Sequence, residues 1–361
     1  MKEVNICLDT RALLGAGGVP QYTRQLVRNL NSEGKNIYLF CNSLGKLKNF
    51  ESRFSKIFFR IPSKLFNFSL LLRGRPHINK MIEKKLGKKI DLFILPNINF
   101  WKSKDDKKIV IAHDLSFAIH PKFFNWRDRI WHWLVKPGEL YRSADWIIAV
   151  SENTKKDLMN IFGIPEEKIN VIYPGVSIDA SDIQNRKGDY ILYLANLEPR
   201  KNVLGLIDAY EKTDTDLDLV IAGAGKYKLI IQWKVALSSK RKKIKLAGYV
   251  KESEKAKMIS EARLFVYPSF YEGFGFPPLE AQVLGVPVVA SLTSSMSEVL
   301  RDSAILVNPY DSNEIARAMA EVLNDSSLRE RLVEKGWENV KRFSWNKCAK
   351  EIGLAIDNLI S

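Results

Sequence analysis

Two glutamates, Glu272 and Glu280, bracket the seven residues Gly273-Phe274-Gly275-Phe276-Pro277-Pro278-Leu279. Prolines are tolerated in the first turn of a helix, where the N–H groups have no intrahelical partner. The spelling predicts a strand over 262–268, a glycine loop over 271–276, a helix over 277–284 and a strand over 286–291. Free N–H groups from such a loop and helix start converge on one spot and make an anion site. Glu280 falls about one turn into the helix, placed to accept hydrogen bonds from hydroxyls. Glu272 stands at the loop entrance, where a carboxylate would repel a lone phosphate. Both carboxylates make sense beside a ligand that carries phosphate and hydroxyls together, as nucleotide-sugars do.

Other residues of chemical interest also follow predicted strands. His113 and Asp114 come directly after the apolar run 108–112, at the carboxyl end where open α/β sheets bind ligands. The histidine there could bond a sugar or phosphate, or cap the strand. Leu14-Gly15-Ala16-Gly17-Gly18-Val19-Pro20 links a strand over 4–9 to a helix over 21–30. This turn lacks the full dinucleotide fingerprint, and its glycines have a purely conformational reading too. Arg200 and Lys201 follow the strand over 190–194. Asp214-Thr215-Asp216 and Asp216-Leu217-Asp218 spell a metal motif, but they lead into the start of a strand, the wrong end for a site. No divalent metal or other cofactor is expected.

The elements around these residues alternate strand and helix twice. The first block has strands over 4–9, 36–41, 91–95, 108–112, 144–150 and 171–173. The second has strands over 190–194, 217–222, 243–246, 262–268, 286–291 and 305–307, then helices over 313–323, 328–342 and 345–359. Ser151 is positioned as the N-cap of a helix over 154–162. The polar run 178–187 reads as a linker. The chain has 361 residues, 46% of them hydrophobic, enough for two domains of about 150 residues each. The expected α/β architecture is two doubly wound parallel-sheet domains, residues 1–180 and 188–342, with residues 343–361 as a final helical segment.

Cys7, Cys41 and Cys348 are scattered, which argues against a disulfide framework or zinc site and for a reducing compartment. No apolar run reaches the roughly 18 residues of a membrane span, and no leader pattern precedes the first strand. Charge is uneven. Up to Ala180 there are 30 Lys and Arg against 17 Asp and Glu, and afterwards 26 against 24. Residues 46–108 alone hold 17 basic and 5 acidic residues, interleaved with Phe54, Phe58, Phe59, Phe66 and Phe68. That composition fits an anionic membrane surface, or a solvated basic face over ordinary core phenylalanines. Nucleic acid fits it less well. The aromatic stretch 123–141 reads either as a packed helix or as an acceptor- or membrane-facing edge.

Taken together, these stretches resemble the retaining glycosyltransferases of family 4, whose GT-B fold sets two Rossmann-like domains across a cleft. The most specific part is the E-x7-E spelling with its glycine interior, preceded by YPS and followed by GVPVVAS. Next are SENTKKDL with the later Pro174-Gly175-Val176, and LEPRKN, which is similar to bacterial mannosyltransferases of surface polysaccharides. The resemblance covers nearly the whole chain and is weakest over 46–86.

It implies transfer of a hexose, mannose favoured, from a GDP- or UDP-linked sugar to a glycan, by a cytoplasmic enzyme peripheral to the inner membrane face. The acceptor would be lipid-linked or an oligosaccharide. Arg200 and Lys201 would hold the donor pyrophosphate, although the family's commoner pattern has an arginine where this chain has Asn196. Gly273, Phe274 and Gly275 would offer N–H groups to the donor, and Glu280 would take the ribose. Glu272 would face the sugar, as would His113 from the first domain. Gly17 and Gly18 would line the cleft, and Tyr249 and Val250 would lie beside the base. His113, Lys201 and Glu272 are the implied catalytic residues. A nucleotide-sugar epimerase and a non-catalytic membrane- or nucleic-acid-binding protein are the alternatives.

Overall fold

A computed structural model of the chain describes residues 3–15, 17–31, 33–42, 52–73, 77–103, 106–178 and 190–360. Nearly all of the expected linker 178–187, and the start of the basic stretch with Lys46 and Lys48, lie outside the described residues. The chain forms two compact units, Met1–Gly175 with Trp345–Ser361, and Val176–Ser344.

The first unit contains β1 (Val4–Asp9), β2 (Lys35–Asn42), β3 (Ser55–Phe59), β4 (Leu92–Leu95), β5 (Lys108–Ala112), β6 (Trp146–Ala149) and β7 (Ile169–Val171). They pair in the order β3-β2-β1-β4-β5-β6-β7, and the pairs are parallel. The second unit contains β8 (Tyr190–Leu194), β9 (Asp218–Ala222), β10 (Ile244–Gly248), β11 (Ala262–Tyr267), β12 (Val288–Ser291) and β13 (Ile305–Val307). Their order is β10-β9-β8-β11-β12-β13, again parallel. These are the two doubly wound sheets expected from the sequence.

The central strands are apolar runs because helices cover both faces of a parallel sheet. Every residue of β4, β5 and β12 is buried. Edge strands β3 and β10 are mixed instead, with Lys56 and Lys245 exposed. That mixture leaves β3 without the long apolar run that marks a buried strand in sequence. Helices Ser63–Arg73 and Ile78–Leu86 follow it. The stretch 123–141 is two helices, Trp126–Val135 and Pro137–Arg142, broken at Lys136 with φ 54°. The residue before a proline disfavours the helical conformation, so the break falls there.

The final helix, Trp345–Ile360, packs within the first unit. Trp345 meets Tyr22 edge-on at 5.3 Å, and Lys35 pairs with Asp357 at 2.7 Å. The phenylalanines of the basic segment divide by face. Phe54 and Phe66 are buried, and Phe66 belongs to the core around Phe40 and Phe93, whereas Phe68 is exposed. Among the described residues, no helix is long and apolar enough to cross a membrane.

Candidate functional site

In the second unit the strand order turns back between β8 and β11. The loops leaving the carboxyl ends of two such strands diverge and open a crevice. One loop holds Glu198 to Asn202, the other Pro268 to Gly275. The two are sewn together, since the Phe270 N–H donates to the Arg200 carbonyl at 2.8 Å. Pro199–Lys201 is a single tight turn ended by Asn202 in the left-handed region, φ 54°. Asn202 Nδ2 anchors the turn by donating to the Pro309 carbonyl at 2.7 Å.

This geometry brings three of the expected residues together. Lys201 is buried, and its Nζ donates to Glu272 Oε1 at 2.5 Å and to the Tyr267 hydroxyl at 2.8 Å. Arg200 Nη1 donates to Glu272 Oε2 at 3.2 Å and to the Tyr271 carbonyl at 3.1 Å, while its Nε reaches Glu198 Oε2 at 3.0 Å. Both Glu272 oxygens are therefore engaged by cations. Burial pushes the Glu272 carboxyl up, but the charges of Lys201 and Arg200 outweigh it and hold it at about 2. Burial, then Arg200, pull the Lys201 ammonium below its ordinary value, and Glu272 opposes them.

The Glu272 backbone is fixed from the loop that follows β12. Its N–H donates to Ser294 Oγ at 2.8 Å, and its carbonyl accepts from Ser295 Oγ at 3.0 Å. Beyond it, Gly273 and Phe274 are buried, and Gly275 starts the helix Phe276–Val283 with φ 90°. A Cβ on Gly275 would lie 2.1 Å from Met296 Cε. Met296 Cε is the tip of a flexible side chain and can move aside, so the cost of Gly275→Ala is chiefly left-handed strain and should be about 1–2 kcal/mol. Urea unfolding reads this directly, and a loss below about 0.5 kcal/mol would mean the loop rearranges freely.

Glu280 is wholly buried on that helix. Its Oε1 accepts from Lys255 Nζ at 2.5 Å, and its Oε2 has no protein partner among the described residues. A buried carboxylate oxygen without a donor is an unmet demand for one. Tyr249 and Val250 follow β10 at the edge of the sheet, Tyr249 exposed and Val250 half-buried. Two aspartates of the metal spelling face lysines: Asp216 lies 4.0 Å from Lys243 and Asp218 lies 3.8 Å from Lys245.

In the first unit, Gly17 caps the helix Gly18–Asn29 with φ 107°. His113 Nε2 lies 2.7 Å from the Pro96 carbonyl, and its ring meets Tyr22 edge-on at 4.8 Å. Burial lowers the His113 pKa despite the Pro96 bond and Asp114, which favours a neutral ring. Tyr22 also reaches Cys348 Sγ at 3.9 Å, so the final helix braces the histidine through one tyrosine.

Sequence reasoning missed Lys255, Tyr267, Ser294 and Tyr22. A signal existed for the serine: Ser291-Leu292-Thr293-Ser294-Ser295 is a hydroxyl run at the carboxyl end of a strand. Lys255 sits 25 residues from its partner with nothing local to mark it.

Comparison with known proteins bears on the family and the fold. Residues 16–180 match the family model described as Glycosyltransferase Family 4, and residues 178–338 match Glycosyl transferases group 1. The O-antigen chain mannosyltransferase B of Escherichia coli is 30% identical over 263 residues, covering 68% of this chain and 69% of that protein. The serotype-specific mannosyltransferase WbdA of Escherichia coli is 28% identical over 281 residues, 70% of this chain, but the match spans only 33% of that longer protein. Among solved structures, a sucrose-phosphate synthase from Thermosynechococcus elongatus superposes with TM-score 0.79 at 19% identity, covering 99% of both chains. Anabaena HepE in complex with UDP gives TM-score 0.73 at 18% identity, covering 98% of this chain and all of that one.

Proposed function

The chain belongs to the family 4, group 1 glycosyltransferases, and we propose on that premise that it moves a hexose, mannose favoured, from a nucleotide-sugar to a glycan with retention of configuration. The observation that carries this is the Arg200–Lys201–Glu272 cluster at the turning point of the second sheet, beside the glycine loop. An ammonium has three N–H donors, and Lys201 directs two of them to Glu272 and Tyr267. The third is left for a phosphate oxygen. When the sugar–phosphate bond breaks, its electron pair goes to the nucleotide, and a fixed cation with loop N–H groups stabilises that charge. The acceptor oxygen bonds to the sugar carbon on the same face, and its proton passes to the departing phosphate.

Glu280 Oε2, lacking a protein donor among the described residues, is assigned to a ribose hydroxyl, and Tyr249 and Val250 to the base. The leaving charge falls to Lys201 and Arg200 without a divalent metal. The acceptor is assigned to surface polysaccharide synthesis because the first relative above is named for the O-antigen chain. A lipid-linked acceptor at an anionic membrane surface would suit the basic first unit, where Trp126, Ile130 and Trp133 are exposed on one helix beside Arg127 and Arg129.

The test is a screen of GDP- and UDP-hexoses for protection against heat. At a hundredfold excess over Kd a true donor adds about 2.7 kcal/mol, several degrees in melting temperature. Glu280→Gln should weaken that donor about tenfold. Turnover should survive an excess of chelator. Protection by neither nucleotide class, with the fold intact, sinks the proposal.

A further inference from the structure

The helix Lys228–Leu237 of the second unit buries only Ile231 fully. Leu229 is 70% exposed, Ile230 48%, Trp233 70% and Leu237 77%. Residues 229, 233 and 237 step by four, so they form one stripe along the helix, with Ile230 beside it. A stripe of that size facing water marks an interaction site on a folded protein more often than chance exposure.

The segment that carries it is cationic in sequence. Residues 224–247 contain eight Lys and Arg and no Asp or Glu. The chain after Ala180 is nearly balanced, with 26 basic against 24 acidic residues, so this is a local concentration rather than a general bias. Some of these cations serve the fold. Lys234 pairs with Asp208, Lys240 covers the Tyr210 ring, and Lys243 donates to the Asp216 carbonyl. Lys228, Arg241 and Lys242 are exposed at the rim of the stripe.

The charge decides what covers the stripe. A second copy docking through the same face about a twofold axis would set this rim against itself, and like charges held together cost several kcal/mol. An anionic bilayer meets each feature at once: leucines enter the acyl boundary, Trp233 sits at headgroup level, and lysine and arginine stems reach lipid phosphates. The helix is also tied to the candidate donor loop. It begins after Tyr227, whose N–H donates to the Leu197 carbonyl at 3.3 Å, and the Leu197 N–H donates to the Ala224 carbonyl at 2.9 Å. Leu197 leads directly into Glu198 and the Pro199–Lys201 turn.

We propose that the Lys228–Leu237 helix and its basic rim dock the second unit onto an anionic membrane surface. The inference stands apart from the donor chemistry and from the exposed tryptophans of the first unit.

The experiment is co-sedimentation of the full chain with vesicles of phosphatidylcholine alone, or with added phosphatidylglycerol, at low and high salt. The apolar variant L229Q/W233Q/L237Q should lose vesicle binding tenfold or more. The rim variant K228Q/R241Q/K242Q should lose about fivefold per charge on anionic vesicles and show a flatter salt dependence. Quenching by brominated lipid should be stronger in the wild type than in W233F. Unchanged melting and nucleotide protection in both variants certify their fold and read the donor site separately. The proposal is overturned if both variants bind like the wild type, or if K84Q/K85Q/K88Q/K89Q in the first unit removes all binding by itself. It is equally overturned if the wild type is a dimer that the apolar variant converts to monomer.

Discussion

Replacing Lys201 by methionine should lower turnover of the donor sugar by about 10²–10³-fold, the usual loss when one preorganised charge donor is removed from a developing anion. Methionine fills similar space, so the effect isolates the charge. Lys201 is held between Glu272 and the Tyr267 hydroxyl and, on the proposed function, would need no reorganisation as the leaving group forms. The deficit should fall on kcat more than on KM, because the demand for the cation peaks in the transition state. Steady-state kinetics on a variant with wild-type circular dichroism makes the measurement. A loss below about tenfold would assign Lys201 to the fold and move the leaving-group role to Arg200.

Glu272→Gln should be the most destabilising polar change in the second unit. It leaves Arg200 and Lys201 side by side without their shared anion, and breaking a buried ion pair from one side costs about 3–5 kcal/mol. Proton linkage gives a similar size. The Glu272 carboxyl sits at about 2 in the folded chain against an ordinary 4.5, and each unit is worth about 1.4 kcal/mol, or about 3 kcal/mol in all. The folded value is the depressed one, so this stabilisation is complete above about pH 4.5 and disappears as pH falls toward 2. Urea unfolding of wild type and variant should show a constant gap from neutral pH to about 5 that narrows below it. A gap that ignores pH would mean Glu272 acts through shape alone. On the proposed function, Glu272 would compete with the donor phosphate for the same two cations. The variant should therefore bind the nucleoside diphosphate at least as tightly as wild type while transferring sugar more slowly.

The two predictions concern a pair of residues, Lys201 and Glu272, 71 positions apart. Their types and their places after strands were legible in the sequence, because a strand–loop–helix unit is a local pattern. Apolar runs of four to six residues, a glycine loop and a proline pair mark β11 and the helix Phe276–Val283 without any knowledge of neighbours. Alternation of such units implies a parallel sheet, and the sheet implies a site at its carboxyl edge. The sequence thus determined the two-sheet architecture, the E-x7-E loop and the basic turn at Arg200 and Lys201. Tertiary structure decided which charge meets which. Lys255 neutralises one oxygen of Glu280, and the other has no protein donor among the described residues; no spacing rule connects a lysine on one helix to a glutamate on the next. Exposure was likewise settled by packing. Phe66 and Phe68 look alike in sequence, yet one is core and the other faces water. The Lys228–Leu237 helix went unread because its apolar residues circle most of the axis and leave no amphipathic period. Only its seating on Ile231 shows which of them the fold buries and which stripe, ringed by lysine and arginine, it leaves in solvent.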